Sequence, residues 1–120
     1  MAAYGFSRIE IPTGYPQELD LSADLQTAAV DCRTYARMSV QLSWEGLDAY
    51  NARAILQGSS DGVSWCDLGG SYGGIIILDS PESQLWEITS VGWRYIRLDY
   101  TANSNTTGTG ILLILGYSRG

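Results

Sequence analysis

The chain has 120 residues, 45% of them hydrophobic, with 14 Gly, 8 Tyr and 4 Trp, which fits one globular domain and argues against global disorder. Its 13 acidic residues outnumber 7 basic ones, all Arg, for a net charge of -6, which disfavours nucleic-acid backbones and anionic membranes as partners. Without His or Lys, the commonest general base and metal ligand, Schiff-base chemistry and the P-loop are excluded.

Residues 1 to 24 read as an extended N-terminal arm, punctuated by Gly5, Pro12 with Thr13-Gly14, and Pro16. Within it Arg8-Ile9-Glu10-Ile11 alternates and can pair as a strand if an edge is offered. The arm is then either a segment reaching a neighbouring protein or a first edge strand of the same domain. In the first case Arg8, Ile9, Ile11 and Tyr15 are the candidate contacts, because an alternating strand adds readily to a foreign sheet edge.

Residues 25 to 120 read as strands and turns. Thr27 to Cys32 is a short candidate strand. Met38 to Trp44 follows, with Met38, Val40, Leu42 and Trp44 on one face and Ser39, Gln41 and Ser43 on the other, the period of a half-buried strand. Ala52 to Gln57 is a third strand, closed by Ser59-Ser60-Asp61-Gly62, whose Asp-Gly suits a tight turn. Ser64 to Leu68, Ile75 to Leu78 and Gln84 to Ile88 complete the middle of the chain, with the Gly-rich Gly69 to Gly74 as a loop tip. Trp93 to Tyr100 places Ile96, Leu98 and Tyr100 toward a core. Thr101 to Gly110 is a polar loop, and Ile111 to Leu115 is apolar on both faces.

No segment holds a 3.6-residue repeat; Leu19 to Ala29 has room for one helical turn at most. About eight short strands separated by turns predict an all-β fold, a single sandwich or jelly roll. Such a sandwich buries one face of each sheet. The last strand therefore needs a second cover, either a loop or arm of its own chain or another subunit. In the second case Leu112 and Ile114 are the candidate oligomer interface.

Two segments carry a resemblance. Leu56 to Leu68, LQGSSDGVSWCDL, resembles the L-x-x-S-x-D-G-x-x-W-x-x-L hairpin of discoidin-like sandwich domains, and Trp93 to Leu98 resembles their aromatic-aliphatic-Arg strand. The order and spacing are also similar to those of small tailed-bacteriophage virion proteins. These have an arm, one sandwich and a Thr/Gly-rich turn into an aliphatic strand, here Thr107 to Leu115. The virion resemblance implies a head decoration (cement) protein, a homo-oligomer and usually a trimer, bound to the major capsid protein or another virion protein. The discoidin resemblance implies ligand recognition by loops at one end of the sandwich. Those domains normally carry a disulfide joining their ends, which Cys32 and Cys66 do not bracket. The start of the chain lacks a basic region followed by an apolar core, so cytoplasmic synthesis is expected, with free thiols favoured over a disulfide; the virion resemblance implies a host cytoplasm and a final place in the virion.

No cofactor, no metal and no catalytic role are expected. Asp61, Asp67, Glu82 and Glu87 read as turn-forming or solvated carboxylates, not as a glycosidase pair. No calcium-loop spacing surrounds Asp61, Asp67 or Asp79, and Asn105-Thr106-Thr107 matches a glycosylation sequon that matters only on secretion. If the loops bind a glycan, Tyr50, Tyr72 and Trp65 are the candidate stacking residues. A tail or neck component is a further structural alternative.

Overall fold

A computed structural model of the chain describes residues 7–68, 76–78, 82–89 and 91–119, the side chains of residues 7, 8, 77, 82 and 119 excepted. The described residues form eleven strands and no helix: β1 (Ser7–Glu10), β2 (Gln17–Asp20), β3 (Leu25–Gln26), β4 (Val30–Asp31), β5 (Tyr35–Glu45), β6 (Ala52–Ser59), β7 (Cys66–Asp67), β8 (Ile76–Leu78), β9 (Glu82–Ile88), β10 (Tyr95–Thr101) and β11 (Thr109–Arg119). A front sheet runs β1-β11-β5-β9, with β2 also on β11. A back sheet runs β3-β10-β6-β7, with β4 also on β10 and β8 also on β6. All pairings are antiparallel. Taking β1/β2, β3/β4 and β7/β8 each as one strand position, the sheets read 1-8-3-6 and 2-7-4-5, the order of a jelly roll.

The core lies between the sheets and follows the period-two pattern. Met38, Val40, Leu42 and Trp44 of β5 are buried, as are Ile96, Leu98 and Tyr100 of β10, Ala52, Ala54 and Leu56 of β6, and Trp86 and Ile88 of β9. Where the chain turns, local chemistry explains it. Gly62 adopts φ +77, left-handed backbone that favours glycine. Asp61 Oδ1 accepts the N–H groups of Val63 and Ser64, each at 2.8 Å, and Ser59 Oγ accepts that of Gly62 at 2.8 Å. These bonds hold the Asp61 carboxyl below the usual carboxylate range, the Ser64 N–H contributing most.

Three expectations are corrected. Residues 7 to 24 are not a free arm. β1 and β2 both pair with the chain's own β11, and Leu19 and Leu21 are buried in the core. The boundary drawn at residue 24 therefore cuts through the sandwich. The edge that the alternating Arg8-Ile9-Glu10-Ile11 requires is supplied by β11, which extends to Arg119. Secondly, Leu112 and Ile114 face the core at 0% and 2% exposure, so they are no oligomer interface; the side chains that need a second cover are Ile111, Leu113 and Leu115 on the other face. Thirdly, of the strand expected over Thr27 to Cys32 only β4, Val30–Asp31, forms, with β3 ahead of it. Thr27 lies between them, taking the N–H of Leu98 with its side-chain oxygen (2.9 Å) while donating its own N–H to the Leu98 carbonyl (3.0 Å). A hydroxyl thus replaces a backbone carbonyl in the ladder.

Candidate functional site

The outer faces of the two sheets are built differently. On the back sheet, the outward side chains of β10 and β6 join in a hydrogen-bonded row. Arg97 Nε donates to Gln57 Oε1 at 2.8 Å, and Gln57 Nε2 donates to Asp67 Oδ1 at 2.8 Å. One strand over, Gln26 Nε2 donates to Asp99 Oδ1 at 3.1 Å. The Arg97 guanidinium also lies 4.1 Å from the centre of the Trp65 ring, within cation–π range. Each of these polar groups has a partner from the neighbouring strand, which register places directly opposite.

On the front sheet the outward row of β11 is apolar. Ile111 is 54% exposed, and Leu113, Leu115 and Tyr117 are half-buried. Register sets Ile9, 63% exposed, opposite Tyr117. Leu85, 49% exposed, is set opposite Gln41, which is itself opposite Leu113. Arg37 stacks over Tyr117 at 4.9 Å. At the other end of the face Glu18, Ser43, Glu45, Thr109 and Ile111 line a shallow hollow of about 360 Å³. Exposed apolar rows of this kind mark surfaces that bind other surfaces.

Of the arm residues, Ile9 and Ile11 are exposed, and the backbone of Arg8 pairs with Ser118. Tyr15 turns inward instead and packs against the core. Burial raises its phenol pKa. Tyr50 and Trp65 are not brought together. Tyr50, 59% exposed, sits where β6 begins, and Trp65 lies beyond the turn where β6 ends. A strand of eight residues, roughly 25 Å long, stands between them. Tyr72 lies outside the described residues.

Two of the carboxylates singled out in the sequence are occupied locally, Asp61 in its turn and Asp67 by Gln57. Among the described residues no group of three or more His, Cys, Asp or Glu side chains is placed to hold a metal ion. Asp31 accepts Arg33 in an exposed ion pair at 2.7 Å, and the hydrogen bond from Arg33 lowers its pKa. Cys32 is buried and Cys66 exposed, both free. Burial, with Asp31 nearby, pushes the Cys32 thiol up to about 11.

Sequence reasoning missed Asn105. It is 2% exposed. Its Oδ1 accepts the N–H groups of Asp48 and Ala49 at 3.0 and 3.2 Å. Its Nδ2 donates to the carbonyls of Leu21 and Thr107 at 2.9 and 2.6 Å. This side chain ties the β5–β6 and β10–β11 loops to the N-terminal segment, so the apparent sequon is a structural bracket. An Asn inside a polar loop carries no sequence mark that separates a bracket from a surface residue.

No protein-family profile matches the chain, and no curated protein matches its sequence. Among solved structures, the SPBc2 prophage-derived protein YomS is similar with a TM-score of 0.62 at 10% identity, over 92% of this chain and 96% of that one. The PBSX exported protein XepA is similar with a TM-score of 0.56 at 13% identity, over 94% of this chain but 37% of that one. A CBM4 structure is similar with a TM-score of 0.52 at 6% identity, over 93% of this chain and 78% of that one. At these identities the likeness is one of fold: the chain is an all-β sandwich of a kind seen in prophage-derived proteins and in a CBM4 structure.

Proposed function

We propose that the chain is a structural protein of a tailed-phage virion, a head decoration protein that binds the assembled shell and stabilises it. The observation that carries this reading is the apolar outer row of β11, which the described residues leave partly open to solvent. The phage context is supported by a fold shared with a prophage-derived protein along nearly the full length of both chains. The mechanism is mass action. A domain that binds the assembled shell and not its free or unfolded coat subunits shifts the equilibrium toward the shell, and repeated copies multiply weak contacts. The partner is then the major capsid protein or another virion protein. The role is non-catalytic and the site of action is the virion.

The test is co-sedimentation of the purified chain with expanded shells assembled from the coat protein of the same genome, in parallel with isolated tails. Saturable binding to shells, lost in Ile111→Asp, is the expected result. Binding to tails alone would move the protein to the tail or neck, and binding to neither would overturn the virion reading.

A second reading, glycan recognition, is favoured by Trp65. It is an aromatic ring fixed by Arg97 beside the hydrogen-bonding row of the back sheet, in a fold shared with a CBM4 structure. Under it, Trp65→Ala or Tyr72→Ala abolishes binding in a glycan screen, while Ile111→Asp leaves binding unchanged.

A further inference from the structure

The inner side of the back sheet is not covered across its whole width. Cys66 of β7 stands directly opposite Gly58 of β6, and Gly58 continues the inward series Ala52, Ala54 and Leu56. Cys66 is therefore on the core side of the sheet, yet it is exposed. The core ends short of it, at Trp93 and Leu68, both half-buried. Between these residues and the turn that follows β6 lies a hollow of about 430 Å³, within the range of about 300–1,000 Å³ found for small-molecule sites.

The floor of the hollow is held in place. A Cβ at Gly58 would lie 3.1 Å from Trp93 Cγ and 3.2 Å from Leu68 Cδ2, so the absence of a side chain there lets the indole rest on the strand. The Trp93 carbonyl accepts the Cys32 thiol at 3.3 Å. The next residue, Arg94, donates its N–H to the Ser59 carbonyl at 3.1 Å and accepts the Cys32 N–H at 2.7 Å. The rim is polar. The three hydrogen bonds that Asp61 accepts, from the N–H groups of Val63 and Ser64 and the hydroxyl of Ser59, all end on Oδ1. Among the described residues Oδ2 takes none. Ser60 and Ser64 add exposed hydroxyls. Asp61 is the one charged side chain among the described lining residues. Neighbouring charges are engaged elsewhere: Asp67 accepts Gln57 Nε2 at 2.8 Å, and the Arg94 guanidinium lies 5.0 Å from the centre of the Tyr95 ring.

We infer that this hollow binds one pyranose ring of a neutral sugar. A pyranose carries C–H groups on its face and hydroxyls around its edge. A fixed indole takes the face, and a carboxylate oxygen with two serine hydroxyls takes the edge. A carboxylate on the rim disfavours an anionic ligand, and a single aromatic ring falls short of the cage that holds a quaternary ammonium. Cys66 is the reporter in the wall and not the binding group. The site carries the ligand class of the glycan reading to a different place. It uses neither the Trp65 face nor the outer row of β11, so it stands or falls apart from both readings.

The experiment is the rate at which iodoacetamide labels Cys66 in the full chain, with and without the methyl glycosides of glucose, galactose, mannose and N-acetylglucosamine. Tetramethylammonium and lactate are the cationic and anionic controls, and circular dichroism melts check the folding of every variant. At least one glycoside is expected to bind with a dissociation constant on the order of millimolar. It should slow labelling about tenfold once it stands at about ten times that constant. Ser64→Phe, at an exposed rim position, should fill the mouth and abolish protection in a folded protein, and Trp93→Ala should abolish it by removing the floor. Trp65→Ala should leave it unchanged. No protection by any glycoside, equal protection by tetramethylammonium or lactate, or protection that survives Ser64→Phe would overturn the site. Protection lost in Trp65→Ala and kept in Trp93→Ala would place the sugar on the outer face, overturning this site and supporting the glycan reading.

Discussion

The two outer faces of this sandwich are made of strands with the same inward pattern and opposite outward chemistry. On the back sheet, Arg97, Gln57, Asp67, Asp99 and Gln26 satisfy one another across strands. On the front sheet, Ile111, Leu113, Leu115, Leu85 and Ile9 have no such partners and remain open to solvent to varying degrees. A face whose polar groups are paired within the chain is complete in the monomer. A face with a partly exposed aliphatic row is not, because apolar area left in water is the part of the structure that association can still remove. The contrast separates a face closed within the chain from one left partly open to solvent within one small domain.

The largest expected effect tests the two sides of β11. Leu112→Ala should cost about 2–5 kcal/mol in urea unfolding, as deletion of a fully buried side chain does. Ile111→Ser, its neighbour on the outer face, should stay within about 0.5 kcal/mol for the monomer and act on association only. Equal costs at the two positions would break the comparison. On the back sheet Arg97→Ala should cost about 1 kcal/mol, from the lost hydrogen bond to Gln57 and the lost stack on Trp65. It should change Trp fluorescence and leave the oligomeric mass untouched; a change in mass would assign the interaction surface to the wrong sheet.

Acid acts through the loops at the two ends of the sandwich and not through either face. Asp61 is lowered by the Ser64 and Val63 N–H groups, and Asp48 by the Thr106 hydroxyl and N–H. Each therefore binds its proton less tightly folded than unfolded. Their stabilisation is complete above the unfolded value near 3.8 and is lost as pH falls through it toward the folded value. Asp61→Asn should flatten that acid limb in a pH series of melts; an unchanged limb would remove Asp61 from the account. The smallest effect is on labelling. Cys66, exposed beside the back sheet, should react with a thiol reagent in the native protein. Cys32, buried with its thiol raised to about 11, should react only on unfolding. Two fast thiols in native buffer would show that this end of the sandwich opens.

Much of the fold is legible in the sequence because the period-two rule is local. The burial of Met38, Val40, Leu42 and Trp44, and of Ile96, Leu98 and Tyr100, follows from their spacing alone, and the Asp61-Gly62 turn from its residue types. The site is less legible. Sequence reasoning sends Leu112 and Ile114 to an interface, because an apolar run such as Ile111 to Leu115 carries no mark of which parity faces in. Tyr50 and Trp65 are both aromatic residues in turns, yet the length of β6 keeps them apart. Asn105 reads as an ordinary loop residue, and only the meeting of three distant segments makes it a bracket.

Residue order is enough to set the class of fold, most of its strands and turns, and a net charge of -6. Side-chain alternation, glycine conformation and total charge are properties of neighbours along the chain or of the chain as a whole. Three features come from the folded arrangement alone: residues 7 to 20 close the front sheet, Leu112 and Ile114 belong to the core, and Ile111, Leu113 and Leu115 form the outer row of β11. Each of these depends on which strand lies beside which, and at what register. Register is set by packing between segments up to about a hundred residues apart, where a one-residue slip would exchange core and surface.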